Sequence, residues 1–191
     1  MHANGSSASL TKPLQTERLL LREFVDSDFD ALRAIDADPD VLRFRSQDAI
    51  MPDLTREFLA RAQATALERP RQQYNFAVVP RAGDELIGLC GLTVVNSRYD
   101  QAFLWYALNR AYWGQGYATE AARCLLRFGF ETAGLRRIFA ECHADNVASA
   151  RVLAKIGLRP EAPATGEPNV VSGRLRFAMT ADELPVGDGA Q

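Results

Sequence analysis

Histidine and cysteine are scarce in this chain. Two histidines, His2 and His143, and three cysteines, Cys90, Cys124 and Cys142, are spread over 191 residues. None of them stands in a cluster with metal-ligand spacing, which argues against a structural zinc site. An odd number of cysteines without regular spacing argues against a disulfide framework and suits a reducing, cytoplasmic setting. Each cysteine lies in an apolar run and reads as a buried thiol. No apolar run approaches the ~20 residues that a membrane span requires. Neither sign of charge dominates: the net charge is −2. That removes the basic footprint expected of a protein bound to nucleic acid or to a membrane surface. The first residues lack the basic and apolar regions of a signal peptide. Residues 1–15 and 181–191 read as flexible tails around one domain over 16–180, with no repeat and no dividing linker.

What the chain does have is a glycine loop between two periodic segments. Phe103-Leu104-Trp105-Tyr106-Ala107-Leu108 is strand-like. Gly114 and Gly116 follow, and a helical stripe of Ala118, Ala122, Leu125 and Gly129 begins at once. A strand that runs through glycines into a helix N-terminus makes an anion cradle. Free N–H groups and the positive end of the helix dipole meet there, and no Cβ blocks the approach. The same glycines would also serve a tight strand-to-helix turn that binds nothing.

Along the chain, residues 17–24 read as a strand. Asp26 or Ser27 can cap a helix over 28–37 with Phe29, Leu32 and Ile35 inward, and Asp38-Pro39-Asp40 ends it. A second amphipathic helix covers 54–68. Strands at 74–79, 86–95 and 101–108, joined by short turns, form an antiparallel meander. Gly88 and Gly91 inside the second of these imply a close backbone approach or a bulge. A helix over 116–132, a strand over 136–142 and a short helix capped by Asp145 or Asn146 come next. Gly157 suits the left-handed residue after that last helix. A strand pair at 158–161 and 173–179, separated by a Pro- and Gly-rich loop over 162–171, closes the domain.

Three segments, in this order, resemble the GNAT superfamily of acetyl-CoA-dependent N-acyltransferases, and within it the RimJ/RimL-like ribosomal-protein N-terminal acetyltransferases. They are Thr16-Glu17-Arg18-Leu19-Leu20-Leu21-Arg22, Tyr112-Trp113-Gly114-Gln115-Gly116-Tyr117-Ala118-Thr119-Glu120-Ala121, and Asn146-Val147-Ala148-Ser149-Ala150-Arg151-Val152-Leu153-Ala154-Lys155-Ile156-Gly157-Leu158. The resemblance implies an α/β (α+β) fold with a mixed, mostly antiparallel sheet of about six to seven strands and about four flanking helices. Two places depart from the family pattern. Trp113 stands where the pyrophosphate loop commonly begins with Gln or Arg, and Leu153 replaces a Tyr that many members use as general acid.

The resemblance also implies a reaction: a primary amine, from a protein N-terminus or a small molecule, attacks the acetyl-CoA thioester directly. Under that reading the backbone of Trp113, Gly114, Gln115, Gly116, Tyr117, Ala118 and Thr119 holds the pyrophosphate. The pantetheine arm lies along Ala107, Leu108 and Asn109, with Asn146 on its other side. Arg151, and with it Lys155 and Arg123, can reach cofactor phosphates; the alternative for each is a solvated helix face. Ser149 is the candidate for contacting the thiolate or carbonyl, beside the alternative of an ordinary helix serine. Glu141 is the candidate base, since alternation puts Phe139, Glu141 and His143 on one strand face; the alternative is a surface carboxylate. Asp100 and Tyr106 are further candidates, as is His143, beside the alternative of an ordinary loop histidine. Asp36, Asp38, Asp40 and Asp48 could attract a cationic acceptor, and Phe44, Tyr74, Phe76 and Trp105 could line its pocket or simply be core. No metal and no nucleic-acid partner is expected, and a homodimer is compatible with the family. A non-catalytic acyl-CoA-binding sensor or scaffold is the alternative function. A Rossmann-type nucleotide domain fits poorly, because the glycine loop follows a meander rather than opening a βαβ unit.

Overall fold

The structure is a computed structural model and describes residues 12–44, 52–96, 100–161, 170–171 and 173–185. Among these, one nine-stranded sheet carries helices on both faces. The strands are β1 Leu14–Gln15, β2 Leu19–Arg22, β3 Gln73–Pro80, β4 Gly88–Asn96, β5 Gln101–Leu108, β6 Arg137–His143, β7 Arg159–Pro160, β8 Val170–Val171 and β9 Arg174–Thr180. The helices are α1 Phe29–Ala37, α2 Pro39–Leu42, α3 Pro52–Ala66, α4 Tyr117–Glu131 and α5 Val147–Lys155. The expected fold class holds, with more strands than the six to seven anticipated. The excess is β1, β7 and β8, each two residues long and too short to show a period of its own. β1 pairs with β2, so the sheet already begins inside the stretch read as an amino-terminal tail.

Strands β3 to β5 are antiparallel neighbours in chain order, as the meander predicts, and β2 joins them antiparallel to β3. Their alternating side chains feed two cores. Leu104 and Leu108 on β5 join the core under α4 and α5, and Trp105 and Ala107 pack against the core under α1 and α3. α4 lays Ala122, Leu125 and Gly129 on the sheet as its stripe implies. A Cβ on Gly129 would stand 2.6 Å from Ile138 Cδ1, so the glycine lets helix and sheet approach closely. Cys90 and Cys142 are buried, and Cys124 is partly so.

Helix termini follow local chemistry. Asp38 accepts from the Asp40 N–H at 2.9 Å and starts α2, with Pro39 in its first turn. The Asp26 or Ser27 cap expected for α1 is not used. A 3-10 turn takes residues 26–28, and Asp28 turns inward to accept two bonds of 2.8 Å from Arg22. A nearly inaccessible carboxylate is tolerable when a guanidinium holds it bidentately, as here. Asn146 Oδ1 caps α5 by accepting from the Ser149 N–H at 3.0 Å. Gly157 has φ +95°, and the Leu158 N–H returns to the Leu153 carbonyl, closing the helix as expected.

The feature that creates the site is the parting of β5 from β6. They pair in parallel over only three rungs, Gln101–Arg137, Ala102–Ile138 and Phe103–Phe139. β5 then continues to Leu108 and β6 to His143 without pairing. β9 completes the sheet antiparallel to β6 over its whole length.

Gly91 shows how tightly the meander is built. A Cβ there would lie 2.3 Å from Trp105 Cζ2 and 2.7 Å from the Tyr74 carbonyl oxygen. Gly91→Ala therefore lowers unfolding stability by about 1–3 kcal/mol, read as a fall in the urea midpoint at constant m-value. An unchanged midpoint would refute the close packing described.

Candidate functional site

Between the parted strands lies a cleft of about 520 Å³. Tyr106 and Ser149 line it from the side of α5; Trp105, Glu141, Arg174 and Phe44 also border it. Tyr106 and Ser149 bond through their hydroxyls at 2.8 Å, and the Tyr106 O–H also approaches the Ser149 carbonyl at 3.3 Å. Burial pushes the Tyr106 phenol up to about 12, against a smaller opposing effect of the Ser149 bond. Tyr106 thus remains a protonated donor at any physiological pH. Ser149 also bonds the buried Cys142 thiol, whose pKa is raised mainly by burial. Leu153, in the place of the familiar Tyr, is buried and offers no proton.

The main chain of β5 determines which groups face the gap. The Asn109 N–H donates to the Ile87 carbonyl at 2.9 Å, continuing the β4–β5 ladder. Antiparallel pairs alternate, so Ala107 directs its main chain toward β4 as well, and Tyr106 and Leu108 direct theirs into the gap. The Asn109 side chain is occupied too, accepting from the Ala111 N–H at 3.0 Å. The Leu108 carbonyl receives the Trp113 indole N–H at 2.9 Å. Trp113 therefore ties the turn after β5 back onto the strand, a part that no Gln or Arg would play in the same way.

The glycine loop has the anticipated shape. Gly114 and Gly116 take φ of +74° and +84°, where side chains are strained. Space is open around Gly114. α4 starts without a side-chain cap, and among the described residues the N–H groups of Gly116, Tyr117, Ala118 and Thr119 have no acceptor. An uncapped helix start of this kind fits a phosphate. Gln115 turns its side chain back to the Ala111 carbonyl.

A latch unforeseen in the sequence holds the loop in place. Arg18 donates to the Gln115 carbonyl at 3.0 Å and to Glu120 Oε2 at 2.7 Å, and its guanidinium lies 4.5 Å from the centre of the Tyr117 ring. Glu120 Oε1 accepts from the Thr16 hydroxyl at 2.6 Å and the Arg18 N–H at 2.8 Å. Burial would raise the Glu120 pKa, but these bonds from Thr16 and Arg18 more than offset it and hold the carboxyl below its ordinary value. The signal available in the sequence was Arg18 itself, within the first matching segment.

Other expected residues are placed as follows. Glu141 borders the cleft, but its Oε1 already accepts from Arg176 at 2.8 and 2.5 Å. Its role as an unencumbered base is weakened by that pairing. Arg151 is exposed on α5. Arg123 donates to the Lys155 carbonyl at 2.9 Å, joining α4 to the end of α5. Asp38 and Asp40 pair with Arg110, and Asp36 accepts from Thr55, so these acids are not an open lure for a cationic substrate. Tyr74 and Phe76 are core, stacked edgewise on Phe128. Asp48, residues 162–169, the turn at 97–99 and the outer parts of both tails lie outside the described residues. No described group of His, Cys, Asp and Glu has the arrangement of a metal site.

Comparison with known proteins agrees with this geometry. The model of the acetyltransferase (GNAT) domain matches residues 18–159. An N-acetyltransferase called p20 from Bacillus licheniformis is 31% identical over 152 residues, covering 78% of this chain and 83% of that protein. An acetyltransferase of the GNAT family from Bacillus anthracis superposes with a TM-score of 0.73 at 26% identity, over 89% of this chain and 99% of its own. RimJ of Mycobacterium smegmatis, in complex with CoA-disulfide, shares the fold with a TM-score of 0.71 at 24% identity, over 87% and 84% of the two chains. With the parted strands, the uncapped glycine loop and these likenesses together, the chain belongs to the GNAT family of acetyltransferases.

Proposed function

We propose that this protein transfers the acetyl group of acetyl-CoA to a primary amine by direct attack within a ternary complex. The observation that carries the reading is the Tyr106–Ser149 hydroxyl pair in the wall of the cleft, between α5 and the strand that leads into the uncapped loop. The CoA-disulfide held by the structurally similar RimJ supports a donor of the CoA type.

In this reading the N–H groups of Gly116 to Thr119 bind the pyrophosphate, helped by the dipole of α4. The gap-facing main chain of Tyr106 and the Leu108 N–H pair with the amides of the pantetheine arm like an added strand. Asn146 uses Oδ1 as the α5 cap, which leaves its amide nitrogen as the group for the arm. Arg151 serves a cofactor phosphate from the exposed side of α5.

Chemistry then needs a proton removed from the ammonium and a donor for the departing sulfur. Ser149 donates its O–H to the developing thiolate, and Tyr106 donates in turn to Ser149 Oγ. Because burial keeps Tyr106 protonated, this relay points one way across the working pH range. Glu141 takes the amine proton through a water, with Arg176 holding the carboxylate in place.

Three variants test these assignments. Gly116→Glu abolishes acetyl-CoA binding in calorimetry while the circular dichroism spectrum is retained, since it puts a side chain and a negative charge at the phosphate; normal affinity in the folded variant would remove the loop from the site. Ser149→Ala lowers kcat about a hundredfold with little change in acetyl-CoA affinity. Tyr106→Phe lowers kcat about tenfold by leaving Ser149 without its donor. If only affinity falls in both, the hydroxyl pair is a binding feature. Tight acetyl-CoA binding without thiol release over a broad amine panel would favour the non-catalytic sensor instead.

A further inference from the structure

Two charged side chains border the cleft among the described residues, Glu141 and Arg174. Glu141 is paired with Arg176, which lies opposite it in the β6–β9 register. Asp38 and Asp40 are paired with Arg110, Asp28 with Arg22, and Glu161 with Arg137. Arg174 borders the same cleft as Ser149, is half-buried, and has no carboxylate partner among the described residues. It lies opposite His143 at the open end of the β6–β9 ladder, and its charge is felt at Cys142, the thiol that Ser149 contacts. A partly desolvated guanidinium in a concave site draws in an anion and disfavours a second cation.

We propose that Arg174 is the acceptor-recognition residue of the cleft, and that the acceptor carries an anionic group, carboxylate or phosphate, close to its reacting amine. This rests on the acetyltransfer reading above and narrows it. Such an amine offers an anion to the fork of Arg174 and its nitrogen to the thioester beside Ser149. A bare diamine or polyamine offers only further positive charge. Asp38 and Asp40, at the start of α2, are both in contact with Arg110, which offsets one of their two charges.

The test uses the full-length protein, acetyl-CoA and matched acceptors: amino acids against their amides, acidic against neutral dipeptides, an aminoalkyl phosphate, and a diamine. In parallel, calorimetry follows the binding of the N-acetylated products to the CoA-loaded protein. Anionic members are expected to exceed their neutral counterparts by about ten- to a hundredfold in kcat/KM. Arg174→Gln brings the ratio to within about twofold of unity with an unaltered KM for acetyl-CoA, and Arg174→Lys keeps part of the preference. The aminoalkyl phosphate shows which of the two anions is preferred. Equal rates for charged and neutral acceptors, preference for the diamine, or a ratio that survives in folded Arg174→Gln would each overturn the proposal while leaving acetyl transfer standing. Anionic products that bind wild type and not Arg174→Gln, with no acceptor turned over, would uphold the anion site and overturn the enzymatic reading.

Discussion

The site depends on a pairing that stops early. β5 and β6 hold together for three rungs and then separate, so two strands of one sheet leave a gap instead of a ladder. Phe103 and Phe139 meet at the fork with ring centres 5.4 Å apart, and the bond from Tyr106 to Ser149 reaches across to α5 beyond it. A closed sheet would satisfy the gap-facing groups of Tyr106 and the Leu108 N–H internally and leave no room between the strands. The parting makes those polar groups available and opens a passage between the two faces of the sheet.

That passage has different chemistry on its two sides. Toward α4 and α5, buried apolar residues surround the hydroxyl pair, and the low polarity keeps Tyr106 in its protonated form. Toward the other face, guanidinium groups gather around aromatic rings: Arg137 and Arg176 lie 5.4 and 5.0 Å from the Phe139 ring centre. Stacking on an aromatic face leaves the edges of a guanidinium open to hydrogen-bond partners, and Arg176 uses its edge on Glu141. Donor and acceptor would thus meet at a boundary between an apolar, hydroxyl-bearing wall and a cationic, aromatic one.

How much of this could be read in advance differs by the range of the interaction. The meander, the stripe of α4, the Asn146 cap and the Gly157 stop all depend on residues within one or two turns of each other, and all are present. Gly91 was legible as a close approach, though not that Trp105 would be the neighbour. Alternation placed Glu141 and His143 on one face of β6, but its partner Arg176 follows from the register with β9, which no local pattern encodes. The main-chain directions of Ala107 and Asn109 are hidden for a similar reason. Side-chain alternation is visible in a strand, while the direction of its N–H groups depends on which neighbour the ladder joins. The Tyr106–Ser149 bond spans 43 positions, and only the packing of α5 against the gap brings it about.

The latch between Thr16, Arg18 and Glu120 joins residues 102 and 104 positions apart. Contacts of such separation form late in folding, because a long stretch of chain must be ordered before they are rewarded. During synthesis the glycine loop acquires its final support only after the start of α4 has emerged and found β1 and β2 waiting. Once formed, the connection works in both directions. Whatever anion settles on the loop also restrains the amino-terminal edge of the sheet, so slower amide exchange in β2 becomes a remote reporter of an occupied loop.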